Sequence, residues 1–342
     1  MNKNYDERLQ ALKEEMDGIT PEIKKQRAAV EQSRRDATYS KSFWEHMYTG
    51  VPENSMKEKS DGAGGYLVPD VYDKKLVQAL NENNILRGIS TIIPTKHDLK
   101  IAVASDGSAA QWVDESGSYI ASDPSFNQIA IGAHKIGIKV LVSDELLEDS
   151  GIDLESHIMS EFGKTIGKAE ERAFLTGDGV GKPTGIIYQA QLGTVTEKVG
   201  KISLDDILDL IYSVKLSYRK DGPCVFIMSE QAYHELHKIR YADGNYIWNP
   251  HFRDDGYETL LGYRVYVSGA LNTGDVSAEN GSYPVLFGNF TYFWIGERGK
   301  RIIRRLTERY ADSGQVAFIA SQRVDAKLVL PEAVKKLQLR AE

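Results

Sequence analysis

Between residues 154 and 173, apolar side chains recur every three or four positions: Leu154, Ile158, Phe162, Ile166, Ala169 and Ala173. This spacing predicts one buried stripe on a helix about six turns long. Asp153 stands where an N-cap belongs, and Glu155, Glu161, Lys164, Lys168, Glu170 and Arg172 fall on the opposite, polar face. Gly163 and Gly167 each cost roughly 1 kcal/mol of helix propensity against alanine. They lie one turn apart, which predicts a neighbour that comes close to the helix backbone. The pattern stops at Gly177, where a glycine-rich turn begins.

Other segments follow different periods. Residues 1–61 are charged and helix-prone, with a short seam of Leu9, Leu12, Met16 and Ile19 and a later aromatic cluster, SFWEHMYTG. So polar a helix is marginal alone, and the segment reads as an arm with a helical head, or as a tail. VYDKKLVQALNENN predicts a helix that stops at its Asn pair, and the isoleucines before Pro94 predict a strand ending. Residues 99–142 read as a long two-stranded excursion with a Gly/Ser/Asp-rich middle. On its return, Ile129 and Ile131 occupy odd positions and Ile136, Ile138, Val140 and Val142 even ones. A period of two changes parity only through an extra residue, so a bulge or kink is expected near His134. An isolated hairpin is unstable in water. Trp112, Tyr119, Ile120 and Phe126 near its tip therefore need shelter on an identical neighbour, as does the arm.

Residues 200–283 alternate helix and strand. Ser203 and Asp206 form a capping box ahead of the stripe Leu204, Ile207, Leu208, Ile211 and Val214. CVFIM at 224–228 is continuous and apolar, as a strand buried on both faces should be. Ser229 caps a further helix, and YRVYV at 263–267 is another strand. After Pro284 strands dominate and are expected to form an antiparallel sheet.

With 342 residues, the chain is long enough for two domains or one elaborated one. A single cysteine, Cys224, excludes an internal disulfide framework. No run is apolar enough to span a bilayer and no signal peptide is recognised, so no membrane role is expected. The formal net charge of −7 argues against a dedicated sequence-specific DNA reader.

Most candidate chemistry dissolves on inspection. GDGVGKPTG imitates a phosphate-binding loop, but Thr176 replaces its first glycine and Pro183 its magnesium-binding hydroxyl, and a helix precedes it. A soluble nucleotide-dependent enzyme would rest on that loop alone. His234 and His237 are three residues apart, one short of the zinc-protease spacing. Cys224 lies in a core strand, and Asp205 and Asp206 suit a helix start. No catalytic, cofactor or metal residue is assigned. Two opposed charge clusters remain. Asp106, Asp114, Glu115 and Asp123 lie at the excursion tip, and Arg298, Lys300, Arg301, Arg304, Arg305 and Arg309 near the C-terminus. Docking of the acidic tip on the basic strand of a neighbour, solvated surface charge, and a face toward DNA are all open readings.

FLTGDGVGKPTGI, preceded by SDELLEDS, resembles the major capsid proteins of tailed bacteriophages with the Hong Kong 97-type fold. GGYLVPDVYDKKLV, QWVDESGSYIASDPSFNQIAIGAHKIG, GNYIWNP, LLGYRVYVS, LFGNFTYFWIGERG and QRVDAKLVLPEAV continue the resemblance in order from about residue 62 to the end. It implies an α+β fold with a spine helix, an antiparallel peripheral sheet, an extended β-hairpin loop, an N-terminal arm and an α/β axial domain. The expected division is a helical N-terminal segment and arm to residue 61, the start of the peripheral domain at 62–98, the extended loop at 99–135, the spine-helix region at 136–199, the axial domain at 200–283, and the peripheral sheet with a C-terminal return to the axial domain at 284–342. The resemblance implies a virion shell protein and no enzyme. Copies would assemble into pentamers and hexamers around double-stranded DNA bound without sequence specificity, after assembly in host cytoplasm. A portal protein at one vertex is an implied partner, and a maturation protease and a decoration protein are open ones. The alternative is an encapsulin-like nanocompartment shell. Subunit contacts are expected at Trp112, Asp114, Glu115, Tyr119, Phe126, Trp248, Arg301, Arg304 and Arg305. Some relatives crosslink through a loop lysine. Residues 105–125 contain none, and Gly314 and Ser321 align with the asparagine and glutamate of that reaction, so no crosslink is expected.

Overall fold

The structure, a computed structural model, describes residues 25, 28–29, 33–49, 66–104, 126–149, 154–240, 244, 246, 248, 258–271 and 282–340. Residues 33–49 form helix α1. Strand β1 (Tyr66–Leu67) and helix α2 (Asp70–Glu82) follow. Asn83 donates back to the Ala79 carbonyl at 2.8 Å, and the Asn84 side chain caps α3 (Ile85–Ile89), a helix too short to announce itself by period. Strands β2 (Thr91–Thr95) and β3 (Leu99–Ala104) lead out. The returning chain is split into β4 (Phe126–Ile131) and β5 (His134–Ser143), so the expected parity change falls at Gly132 and Ala133. Next come α4 (Asp144–Asp149), the long helix α5 (Leu154–Thr176), α6 (Ile186–Gln189) and β6 (Gln191–Val199). The Ser203–Asp206 capping box opens α7 (Leu204–Ser213). The remaining elements are α8 (Leu216–Lys220), β7 (Cys224–Met228), α9 (Glu230–His237), β8 (Thr259–Leu260), β9 (Tyr263–Val267), β10 (Val285–Asn289), β11 (Phe293–Arg298), β12 (Ile302–Leu306), β13 (Gln315–Leu328) and β14 (Val334–Arg340).

The chain divides into two compact units. The first holds α1, β1, α4, β12 and adjoining parts of α2, β5, α5 and β13. Here β1 runs antiparallel to β12, pairing Tyr66 with Ile303. Helix α1 buries Tyr39, Phe43, Trp44 and Met47, close to an i, i+4, i+8 stripe. The Tyr39 hydroxyl donates to the Leu67 carbonyl at 2.7 Å, and Trp44 meets Tyr72 edge-on. The expectation that this aromatic cluster needs a neighbouring subunit is therefore corrected: its own chain covers it.

The second unit contains two sheet systems besides the two-stranded β3–β4 ribbon. In one, β11 runs antiparallel to β13, with Phe293 opposite Leu328, and parallel to β2, with Ile295 opposite Ile92. The other is a six-stranded sheet in the order β6-β14-β10-β7-β9-β8. Its central strand β7 is buried on both faces: Val225 and Ile227 enter one apolar cluster, Cys224, Phe226 and Met228 another. That is why CVFIM shows no alternation. The C-terminal strands do not form one antiparallel sheet. Strand β10 joins β7 and β14 instead, β11 is parallel to β2, and QVAFIASQ and DAKLVL are one continuous strand, β13. Strand β6 went unread in the sequence, because a register shift beside Gly193 interrupts its period.

Helix α5 carries its predicted stripe as far as Gly167. A Cβ on Gly163 would collide with Ala79 and lie 3.0 Å from the Leu76 carbonyl, and one on Gly167 would lie 3.1 Å from the Leu80 carbonyl. Helix α2 is the close neighbour that the two glycines predict. Beyond Gly167 the buried face moves to Glu170, Phe174 and Leu175, while Ala169 is exposed and Ala173 half-buried. Placing Glu170 on the polar face is therefore corrected.

Candidate assembly surfaces and a buried ion cluster

The excursion is a ribbon whose base is clamped. Strands β3 and β4 pair antiparallel from Leu99 with Ile131 to Ala104 with Phe126. At that base Ile131 is fully buried, and the Gly132 N–H donates to the Asp325 carboxylate at 2.7 Å. The other Asp325 oxygen accepts from Ala326 N–H at 2.8 Å and lies 3.8 Å from His134 Nε2. A carboxylate thus holds the backbone where the parity changes. Of the expected contact residues, Trp112, Asp114, Glu115 and Tyr119 lie outside the described residues, and Phe126 is placed by its backbone at the far end of β4.

Of the C-terminal cations, Arg298, Arg301, Arg304 and Arg305 are engaged within the chain. Arg298 pairs with Asp98, which holds that carboxyl below its ordinary value through the hydrogen bond and the guanidinium charge. Arg301 reaches Glu297 at 2.8 Å and the Gln322 side-chain carbonyl at 2.7 Å. In the first unit Arg305 donates to the Tyr48 carbonyl at 3.2 Å, and burial lowers its pKa against the pull of Asp144. Arg304 is half-buried and also engaged. Trp248, expected at a subunit contact, is 6% exposed. It stacks on His237 with centroids 4.1 Å apart, meets Tyr233 edge-on and donates to the Thr259 carbonyl at 3.2 Å. Its own chain supplies these aromatic partners.

An ion cluster that sequence reasoning missed lies in the second unit. Arg87 Nε donates to Glu170 at 2.7 Å and its Nη1 to Glu297 at 2.6 Å, with the Arg87 and Glu170 side chains both 1% exposed. Gln322 also donates to Glu170. The group joins α3, α5, β11 and β13. Burial alone would lower the Arg87 pKa, but Glu170 and Glu297 outweigh it and hold the guanidinium firmly charged. Burial pushes Glu297 up, and Arg87 and Arg301 bring it below its ordinary value. Burial dominates at Glu170 and raises it. The only sequence signal was a carboxylate one turn beyond the Gly163–Gly167 pair, on the side the helix was about to bury.

The glycine turn is closed by its own backbone. Asp178 and Thr184 form a bridge, Asp178 accepts from Val180 N–H at 2.9 Å and pairs with Lys182 at 3.4 Å. A Cβ on Gly177 would strike the Pro183 carbonyl, and Gly179 and Gly181 have φ of 83° and 69°. The glycines thus serve a tight turn after α5. Burial pushes the Cys224 thiol up to about 11, as suits a core side chain. Among the described residues no group of three His, Cys, Asp or Glu is placed to hold a metal, and no helix is long and apolar enough to cross a membrane.

Comparison with known proteins agrees with this arrangement. Residues 64–339 match the model of the phage capsid family. The major capsid protein of Klebsiella oxytoca phage phiKO2 is 24% identical over 254 residues, covering 70% of this chain and 57% of that relative, so the chain spans little over half its length. Among solved structures, the capsid of an empty GTA particle computed with C5 symmetry is 26% identical with a TM-score of 0.63, over 75% of this chain and 90% of that one. A chain from Gordonia phage Cozz is 14% identical with a TM-score of 0.58, over 85% and 92%. The α+β architecture, the spine helix and the clamped ribbon are thus found in a chain that belongs to the phage capsid family.

Proposed function

We propose that this chain is the shell-forming subunit of a phage or prophage head. Copies assemble into pentamers and hexamers that close an icosahedral shell around double-stranded DNA. The work is geometric rather than catalytic, and the place of action is the virion, with assembly in the host cytoplasm. A portal protein at one vertex, and in some systems a maturation protease and a decoration protein, complete the partners. The observation that carries this reading is the family match over residues 64–339, together with a β-ribbon held at its base by Asp325. A net charge of −7 fits a container that holds DNA without reading its sequence.

Electron microscopy of the overexpressed chain is the test. Closed particles of uniform size are expected, and a compact monomer at high concentration would sink the reading. Nucleic acid inside the particles supports a viral head, whereas a packaged enzyme would point to a nanocompartment.

A further inference from the structure

A cavity of about 580 Å³ lies where the start of β7 meets the β8–β9 turn and the end of α3. That volume suits a small-molecule ligand. Its wall includes Ser90, Arg219, Cys224, Arg264 and Tyr266, and none of the described residues that line it is an aspartate or a glutamate. Asp221, next to the wall residue Gly222, is not part of the lining and accepts from the Tyr292 hydroxyl. In a chain of net charge −7, a concave wall with two guanidiniums and no carboxylate is a local reversal of sign. Such clefts concentrate the field of their charges and draw counter-ions in. Every lining residue belongs to the second unit of one chain, so binding needs no neighbouring copy.

Arg219 is the better placed of the two cations. Its Nε donates to the Val214 carbonyl at 3.1 Å, and its guanidinium lies over the Tyr212 ring, 5.0 Å from the centroid. Both partners are neutral, so they orient the guanidinium without cancelling its charge. That charge is felt at the cavity wall: it draws the Cys224 thiol down against the larger upward effect of burial. Arg264 stands on β9 with its guanidinium 4.7 Å from the Tyr266 centroid, and has a further contact within its own chain. Ser90 closes α3, its backbone N–H donating to the Leu86 carbonyl at 2.9 Å. Its hydroxyl is buried and meets no hydrogen-bond partner among the described residues. Buried hydroxyls are nearly always satisfied, and a ligand oxygen at this wall would supply the acceptor.

We infer that this cavity binds a small phosphate-bearing anion, inorganic phosphate or a phosphate monoester, with Arg219 as its main anchor, Arg264 as the second cation and Ser90 as a hydroxyl donor. A guanidinium presents paired N–H donors that match two phosphate oxygens at once. Two such cations suit a group that carries close to two negative charges near neutral pH. A phosphodiester carries one charge and continues into sugar on both sides, which calls for a groove that tracks the backbone. The site is a property of the single subunit and stands apart from the shell-forming reading.

Isothermal titration of inorganic phosphate into the full, unassembled chain at constant ionic strength is the test, with thermal melting beside it. Saturable binding to one site per chain is expected, and phosphate should raise the melting temperature. Arg219→Gln should weaken the affinity about tenfold or more. Arg264→Gln and Ser90→Ala should each weaken it by a smaller factor. Lys220→Gln removes an exposed cation of the same helix that is outside the wall, and should leave the affinity unchanged. Each variant is first melted without phosphate; if Arg219→Gln does not fold, Arg264→Gln and Ser90→Ala carry the comparison. A nucleoside monophosphate separates the two sources: displacement of phosphate assigns a monoester, no displacement assigns free phosphate, and either supports the site. Equal losses in Lys220→Gln and the wall variants, or a parent that shows no saturable binding, would overturn it. A short oligonucleotide without terminal phosphates that displaces phosphate from the parent would also overturn it, giving the cavity to a nucleic-acid backbone.

Discussion

At the scale of single residues, the buried Arg87–Glu170–Glu297 cluster sets the sharpest expectations. Arg87→Ala strands an almost fully buried Glu170 carboxylate without its partner, and should cost about 3–5 kcal/mol of stability by urea unfolding of the unassembled chain. Glu170→Gln should cost less, because Arg87 keeps Glu297 at 2.6 Å as its counter-charge. The pH dependence has two opposing parts. Glu297 is held below its ordinary 4.5, so the stability it contributes is present above that pH and is lost as pH falls through the depressed folded value. Glu170 is raised, so its contribution is complete below the ordinary value and is lost as pH rises through the raised one. Glu297→Gln should therefore flatten the acid side of the stability profile below pH 4.5 relative to the parent. An unchanged acid limb would show that the cluster does not titrate with folding. None of this was legible from the residues alone. A glutamate between Lys168 and Arg172 reads as a solvated face until the arginine that meets it, 83 positions away, is placed in space.

At the scale of elements, the crossing of α2 over α5 is legible, and its energetics can be read from two glycines. Gly163→Ala gains roughly 1 kcal/mol of helix propensity. It also forces a methyl into Ala79, an overpacking that costs about 1–3 kcal/mol. The net effect should be a loss of thermal stability, larger than for Gly167→Ala, whose Cβ would meet backbone at 3.1 Å. Ala79→Gly in the Gly163→Ala background should recover part of the loss. A Gly163→Ala chain that melts higher than the parent would show that α2 gives way freely. The elements that could be read share a property: their pattern is set within the element itself. The α5 stripe, the β7 run and the Ser203 box are local statements. Strand β6 fails that condition, since its register shift at Gly193 and its exposed edge remove the alternation. The pairing of β10 with β7, rather than with the strands that follow it, is likewise a matter of topology and leaves no mark on a five-residue run. The candidate contact residues divide the same way. Trp248 and Arg301 look exposed in sequence because their partners, His237 and Tyr233 for one, Glu297 and Gln322 for the other, are distant or carried on other elements.

At the scale of the whole molecule, the question is which apolar side chains the chain shelters by itself. It shelters the α1 aromatics, which removes one of the reasons the sequence offered for a neighbour. The ribbon keeps its reason: residues 105–125 include Trp112, Tyr119 and Ile120 in a stretch otherwise rich in Gly, Ser and Asp. Its base closes independently of its tip, because β3 and β4 stay in register up to Ala104 opposite Phe126 and Asp325 fixes Gly132. Replacing residues 106–124 by a short Gly-Ser turn should therefore leave the unassembled body folded, with its melting temperature within about 2 °C of the parent. Particle formation should be lost in the same preparation. The acidic groups removed with the tip contribute only about 0–1 kcal/mol per exposed pair, and raising salt to about 1 M shortens the screening length to roughly 3 Å. Parent particles that persist in that salt while the shortened chain fails to assemble would place the main contribution in the apolar tip. A shortened chain that builds shells as readily as the parent would remove the ribbon from the assembly altogether.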